Sequence, residues 1–122
     1  MLDYNQKLNN RQVGSYYEQQ ARQYLQNKGY KILQMNFRCR TGEIDMIAKD
    51  GAYTVFVEVK ARSTYKCGWP CESVTVYKRK KIIKTAQYYL ICQHLGDIPC
   101  RFDVIEIYRG QIHHIINAFM EG

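Results

Sequence analysis

No stretch of this chain approaches the run of apolar residues needed to cross a bilayer, and the N-terminus, Met1 to Arg11, lacks the apolar segment of a signal peptide. Neither a membrane partner nor export is expected, and the reading is a cytoplasmic protein. Acidic residues are scarce beside basic ones: 11 Asp and Glu stand against 18 Lys and Arg, a net charge of +7. That excess favours a polyanionic partner, most simply nucleic acid. A basic surface with no such partner accounts for the same number. The five cysteines, Cys39, Cys67, Cys71, Cys92 and Cys100, contain one close pair, Cys67 and Cys71, and no second Cys or His pair completes a zinc set. An odd, scattered set reads as free thiols in a reducing compartment. Internal repeats and low-complexity segments are also absent.

What is present is the composition of one folded domain. At 122 residues the chain can bury a core without disulfides or a structural metal. An apolar fraction of 46%, with 11 Tyr and 4 Phe, excludes a disordered chain. Residues 1–13 read as a polar lead-in and 14–122 as the domain. Gly14-Ser15 introduces a helix whose stripe is Tyr17, Ala21, Tyr24, Leu25 and the stem of Lys28. Gly29 stops it. Strands are predicted over 30–37, 43–48 and 53–60. They are separated by the basic turn Arg38-Cys39-Arg40-Thr41-Gly42 and by Asp50-Gly51, the strongest hairpin signal in the chain. A loop over 62–73 carries Gly68, Trp69 and Pro70. A second helix over about 75–94 has the stripe Ile82, Ile83, Ala86, Tyr89 and Leu90. Strands over 101–108 and 111–119 close the chain around the turn Arg109-Gly110.

The first three strands form an antiparallel meander. The second helix is long enough to be a crossover that sets the third and fourth strands parallel. The expected architecture is α/β, a mixed five-stranded sheet flanked by helices.

The chemistry gathers at the hairpin around Asp50-Gly51. A two-residue type I′ turn puts Lys49 opposite Ala52, Ile47 opposite Thr54, Asp45 opposite Phe56 and Glu43 opposite Glu58. Side chains alternate along a strand. Glu43, Asp45, Glu58 and Lys60 then share one face, while Ile44, Met46, Ala48, Val55, Val57 and Val59 share the other. Two diagonal carboxylates can converge on one cation. The facing pair Glu43 and Glu58 needs a positive charge between them, which Lys60 or a divalent metal supplies. Oxygen ligands suit Mg2+ or Mn2+, which can activate water and stabilise charge on a phosphodiester. A half-exposed antiparallel strand also alternates Val with Glu and Lys, its charges forming modest cross-strand pairs. Against that, charges at the centre of a helix-covered face are costly unless they have a task.

The run Gly42-Glu43-Ile44-Asp45 followed by Val57-Glu58-Val59-Lys60 resembles the PD-(D/E)XK nuclease signature. More closely, the chain resembles the YraN family of small bacterial proteins. The matching segments are Gly29-Tyr30-Lys31-Ile32-Leu33, Asn36-Phe37-Arg38, Gly42 to Asp45, Phe56 to Lys60, and Arg101-Phe102-Asp103-Val104. The resemblance implies a restriction-endonuclease-like fold, akin to archaeal Holliday-junction resolvases. It implies a magnesium-dependent endonuclease acting on DNA, branched or damaged DNA included. It also implies that Asp45 and Glu58 bind the metal, Val59 adds its carbonyl, and Lys60 serves the water. Relatives of that type act as pairs on symmetric junctions, so a homodimer is among the expectations. A glutamate on the first helix often completes such sites, and Glu18 occupies that place. The pattern Ser15-x-x-Glu18 is equally a capping box, and both roles stay open.

Lys78, Arg79, Lys80, Lys81 and Lys84 place five positive charges near the start of the second helix, where they oppose the macrodipole. Phosphate contact gives that cost a reason. Arg38, Arg40 and Arg62 lie at strand ends flanking the cluster, where a DNA backbone arrives. Trp69 stacks on a base or anchors its loop. His113 and His114 point opposite ways from one strand and read as surface or half-buried. Asp103 and Glu106 read as structural charges near strand ends. The readings from other classes are a nucleic-acid-binding domain that keeps the nuclease fold without cutting, and an interaction protein whose acidic cluster only shapes a hairpin.

Overall fold

In the computed structural model, residues 10–61 and 74–120 are described, with side chains from Ser15 onward. The chain runs α1 (Asn10–Asn27), β1 (Lys31–Cys39), β2 (Gly42–Asp50), β3 (Tyr53–Ala61), α2 (Val76–Cys92), β4 (Cys100–Tyr108) and β5 (Gln111–Phe119). The sheet order is β1-β2-β3-β4-β5. Every neighbouring pair is antiparallel except β3 and β4, which run parallel across the α2 connection. The expected mixed five-stranded sheet with two helices is therefore observed.

Each helix covers one face of the sheet. Ala21 and Leu25 of α1 pack with Met46, Ala48, Val55, Val57, Ile105 and Ile107. Ile82, Ala86 and Tyr89 of α2 pack with Ile44, Ile47, Phe56, Phe102 and Val104. Both apolar stripes read from the sequence face the core, except that Lys28 at the end of the first is exposed and lies over the Tyr24 and Tyr30 rings. The end of α1 is a Schellman motif: Tyr30 N–H donates to the Leu25 carbonyl at 2.9 Å and Gly29 N–H to that of Gln26 at 3.0 Å. Gly29 adopts φ +92°, which only glycine takes without strain. Thr75 caps α2, its side chain accepting from Lys78 N–H at 3.2 Å.

Three expectations are corrected. First, α1 begins at Asn10, ahead of Gly14-Ser15. Ser15 lies inside the helix, so the Ser15–Glu18 capping box does not exist. Second, the β2–β3 turn is Gly51-Ala52. Asp50 pairs with Tyr53, Lys49 with Thr54 and Ile47 with Phe56, two residues along β3 from the expected register. Gly51 takes φ +58° and Ala52 does not follow it into that region, which is the pattern of a type II′ turn. A turn centred on Asp50-Gly51 would need Asp50 at positive φ. Asp50 instead stays in the ladder and pairs with Arg101 at 3.0 Å. A shift by two leaves every side chain on its face.

The third correction is local. Met35 and Met46 pack on the α1 side, whereas Phe37 and Ile44 pack on the α2 side. Strict alternation would keep each of these pairs of same-strand residues, two apart, on one face. Both strands change sides together, β1 at Asn36 (φ +53°) and β2 at Asp45. Ile44 therefore leaves the face expected for it, and Asp45 stands at the switch.

Candidate functional site

Asp45 owes its position to that switch. The β2–β3 ladder ends at Met46 opposite Val57. Beyond it the Val59 N–H would lack a strand partner, and the Asp45 carboxylate accepts it at 2.8 Å. The same carboxyl meets Glu58, which is 7% exposed on the α2 side of β3. Burial and the Glu58 charge push the Asp45 carboxyl up to about 8, opposed by the Val59 N–H and reinforced by Glu18. The buried Asp45 carboxyl thus stands against a second carboxyl, a like-charge contact that a cation relieves.

Two lysines approach Glu58. Lys78 Nζ of α2 lies 2.9 Å from its carboxylate and Lys60 Nζ 4.0 Å. Burial and the neighbouring Lys78 lower the pKa of Lys60. Burial works against the proton on Lys78 as well, but hydrogen bonds to Lys60 and Glu58 outweigh it and the net direction is upward. Lys78 thus keeps the charge, and Lys60 is the amine more ready to lose a proton, the property a general base needs.

Glu18 is half-buried on α1 and faces this cluster from the other layer. Burial raises its pKa, a hydrogen bond from Asn36 opposes the rise, and the charges of Glu43 and Glu58 add to it. With Ser15 mid-helix, the capping role weighed for Glu18 is excluded. Glu43 is not set against Glu58. Its cross-strand partner is Arg38, 3.3 Å away in an exposed ion pair.

The donors available to a metal are the Asp45 and Glu58 carboxylates and the Val59 carbonyl. All are hard oxygens, the ligand type that suits Mg2+ or Mn2+. Among the described residues no three His, Cys, Asp or Glu side chains form a metal-holding group.

A model of the uncharacterised protein family UPF0102 matches residues 17–107. The chain is 53% identical over 114 residues to a UPF0102 protein of Clostridioides difficile, covering 92% of this chain and all of that one. It is 45% identical over 120 residues to a UPF0102 protein of Caldanaerobacter subterraneus (93% and 98% covered). It is 48% identical over 102 residues to one of Persephonella marina (84% and 88%). The chain belongs to the UPF0102 family. This is the family its segments resembled under the name YraN.

In this UPF0102 chain the basic residues singled out in the sequence divide into two groups. Arg40, Lys80 and Lys84 are exposed. Arg38 is exposed but pairs with Glu43. Lys78 turns inward to Glu58, and Arg79 staples the start of α2, its Nε donating to the Val74 carbonyl at 2.9 Å. Arg62, Trp69, Cys67 and Cys71 lie outside the described residues. No described helix is long and apolar enough to cross a membrane.

Sequence reasoning missed a second polar cluster. Asp103 is fully buried within β4, not near a strand end. It accepts from Arg101 Nε (2.9 Å) and Nη2 (3.0 Å), pairs with His114 Nε2 (2.7 Å), and accepts from Asn117 N–H (2.9 Å). His114 is half-buried as a residue, one of the two readings weighed for it, and its side chain is 2% exposed. Glu106 is likewise buried in β4. The signal in the sequence was the set of polar residues interrupting the apolar runs, Asp103 and Glu106 in β4 and His113, His114 and Asn117 in β5, which alternation alone assigns to a solvent face.

Proposed function

We propose that this UPF0102 protein is a magnesium-dependent endonuclease-like protein that hydrolyses DNA phosphodiester bonds, with a restriction-endonuclease-like PD-(D/E)XK fold. The observation that carries the reading is the buried Asp45–Glu58 carboxyl pair with Lys60 and Lys78 beside Glu58, at the foot of an acid-free basic helix. The element order, with a meander entering a parallel β3–β4 pair, supports the fold assignment.

Asp45, Glu58 and the Val59 carbonyl are the residues that would hold Mg2+ or Mn2+, which when bound supplies Lewis-acid polarisation of the scissile phosphate. Lys60 orients the attacking water and accepts its proton as the water oxygen bonds to phosphorus and the leaving oxygen departs. Lys78 holds Glu58 in place, and Glu18 adds negative charge from the α1 side. Arg40, Lys80 and Lys84 meet the DNA backbone.

The test is calorimetric titration of Mg2+ or Mn2+ into the intact protein and Asp45→Asn, followed by cleavage assays on duplex, branched and damaged DNA. Metal binding lost in the variant, with cutting lost in Lys60→Ala while DNA binding persists, supports the proposal. DNA handling unchanged in both variants refutes the catalytic assignment.

One observation favours a second reading, a nucleic-acid-binding domain that keeps the fold without cutting. The Lys78 ammonium already sits 2.9 Å from Glu58, where it balances the charge that a metal would otherwise meet. Under that reading no metal binds, even with DNA present.

A further inference from the structure

The outer face of α2 has no use in the reading above beyond phosphate contact, yet it carries more than charge. Tyr77, Lys81, Lys84 and Tyr88 stand at i, i+4, i+7 and i+11, one stripe on a helix. All four are exposed, Tyr77 by 70% and Tyr88 by 49%. The helix contains five Lys and Arg and no acidic residue. Two exposed tyrosines are unusual on a helix whose core-facing stripe is already satisfied by Ile82, Ala86 and Tyr89. They contribute little to the core, and the chain has many polar alternatives for a solvated face.

Their surroundings make one continuous surface. Lys81 Nζ lies 5.0 Å from the centroid of the Tyr77 ring. The Tyr88 ring is 6.3 Å from Phe37 of β1, which braces it from the sheet side. The β1–β2 turn is pinned to the middle of the same helix. Thr41 Oγ1 is 3.1 Å from Thr85 Oγ1, and a Cβ on Gly42 would meet Thr85 Oγ1 at 3.2 Å. That docking brings exposed Arg40 beside the stripe. At the other end, Lys78 is one residue from Tyr77 and touches Glu58. The track therefore runs from the basic turn along α2 to the acidic pair.

Lysines interleaved with exposed aromatic rings are the chemistry of a single-stranded nucleic-acid groove. The cations follow the phosphates, and the rings stack on bases that a duplex keeps hidden. Tyr77 and Tyr88 are separated by about 16 Å of helix, so two rings contact separate bases of one strand.

We propose that the α2 face binds an unpaired DNA segment, with bases stacked on Tyr77 and Tyr88 and phosphates on Arg40, Lys80, Lys81 and Lys84, so that the substrate is DNA with a single-stranded portion beside the cut. This rests on the nucleic-acid reading of the previous subsection and narrows its substrate class.

The test uses binding alone, in EDTA, by fluorescence anisotropy of the full chain. The probes are an oligothymidine, an abasic oligonucleotide of the same length and charge, and a blunt duplex. Oligothymidine is expected to bind tighter than both. Tyr77→Ala and Tyr88→Ala each weaken oligothymidine binding by at least about fivefold and leave abasic binding unchanged. Tyr→Phe at either position restores the preference. Replacing Lys80, Lys81 and Lys84 with Gln lowers the salt slope by about 2 for every probe.

Equal binding of the three probes, or tyrosine variants without effect, overturns this inference and leaves a duplex nuclease standing. No binding to any DNA overturns the nucleic-acid reading and this inference with it. Self-association abolished by the same tyrosine variants assigns the face to a second copy of the chain and overturns the inference as well.

Discussion

Replacing Asp45 by Asn keeps the side-chain shape and the acceptor for Val59 N–H while removing the ionisable group. In the folded protein, burial beside Glu58 moves that carboxyl from its ordinary value of 3.8 to about 8. Between those two values the folded state holds a proton that the unfolded chain has released. The folded state then binds more protons, so stability is full below about pH 4 and declines as pH rises through 8. At about 1.4 kcal/mol per pH unit the loss across that interval is of order 5 kcal/mol. Asp45→Asn is free of this decline. The two proteins should melt together near pH 4, and the variant should melt higher by on the order of 20 °C at pH 8.5. Differential scanning fluorimetry across pH in EDTA reads this directly. Adding Mg2+ at about ten times its dissociation constant should then return about 1.4 kcal/mol to the intact protein and nothing to the variant. Parallel melting curves from pH 4 to 9 would refute the buried carboxyl pair. An equal magnesium effect in both proteins would refute the metal assignment.

Other perturbations follow from the same contacts. Lys78→Met removes the ammonium nearest Glu58. Because Lys78 is itself 39% exposed and Lys60 remains, the cost is about 1–2 kcal/mol in chemical denaturation at pH 7. The same variant should bind Mg2+ more tightly by calorimetry, since the competing cation is gone. Asp103→Ala removes the buried partner of both Arg101 and His114, leaving Arg101 only Asp50 and Tyr30, and should cost about 3 kcal/mol by urea unfolding. The Asp103 carboxyl is buried, but His114, Arg101 and the Asn117 N–H hold its pKa below the ordinary range. Its contribution is therefore present above about pH 4 and lost as pH falls through the depressed value. Acid titration of stability should lose that phase in Asp103→Asn. Gly29→Ala forces an L-residue into φ +92° and should lower stability by about 1 kcal/mol without altering metal or DNA binding.

The amino-acid sequence by itself determined the elements and the sharing of faces. Helix stripes at 3.6-residue spacing and strands bounded by Gly29, Gly51 and Gly110 are local features, settled by backbone preference and apolar period. That Glu58 and Lys60 emerge together is a parity, and parity survives the two-residue register shift at the hairpin. Tertiary structure decided the rest. Which two residues close the turn depended on Asp50 having Arg101 to pair with from another strand. The side switch at Asn36 and Asp45 arises because Ile44 and Phe37 are drawn into the α2 cluster while Met46 and Met35 fill the α1 cluster. No period within one strand encodes that choice. The same switch lets one carboxylate meet Glu58 and feel Glu18 from the opposite helix. Lys78 and Lys84 look alike in a run of basic residues, and only the angle at which α2 lies on β3 turns one toward Glu58 and leaves the other in water. The burial of Asp103 is the extreme case. An isolated charge is too costly to place in a core, and only the convergence of Arg101, His114 and Asn117 from two strands makes it stable there.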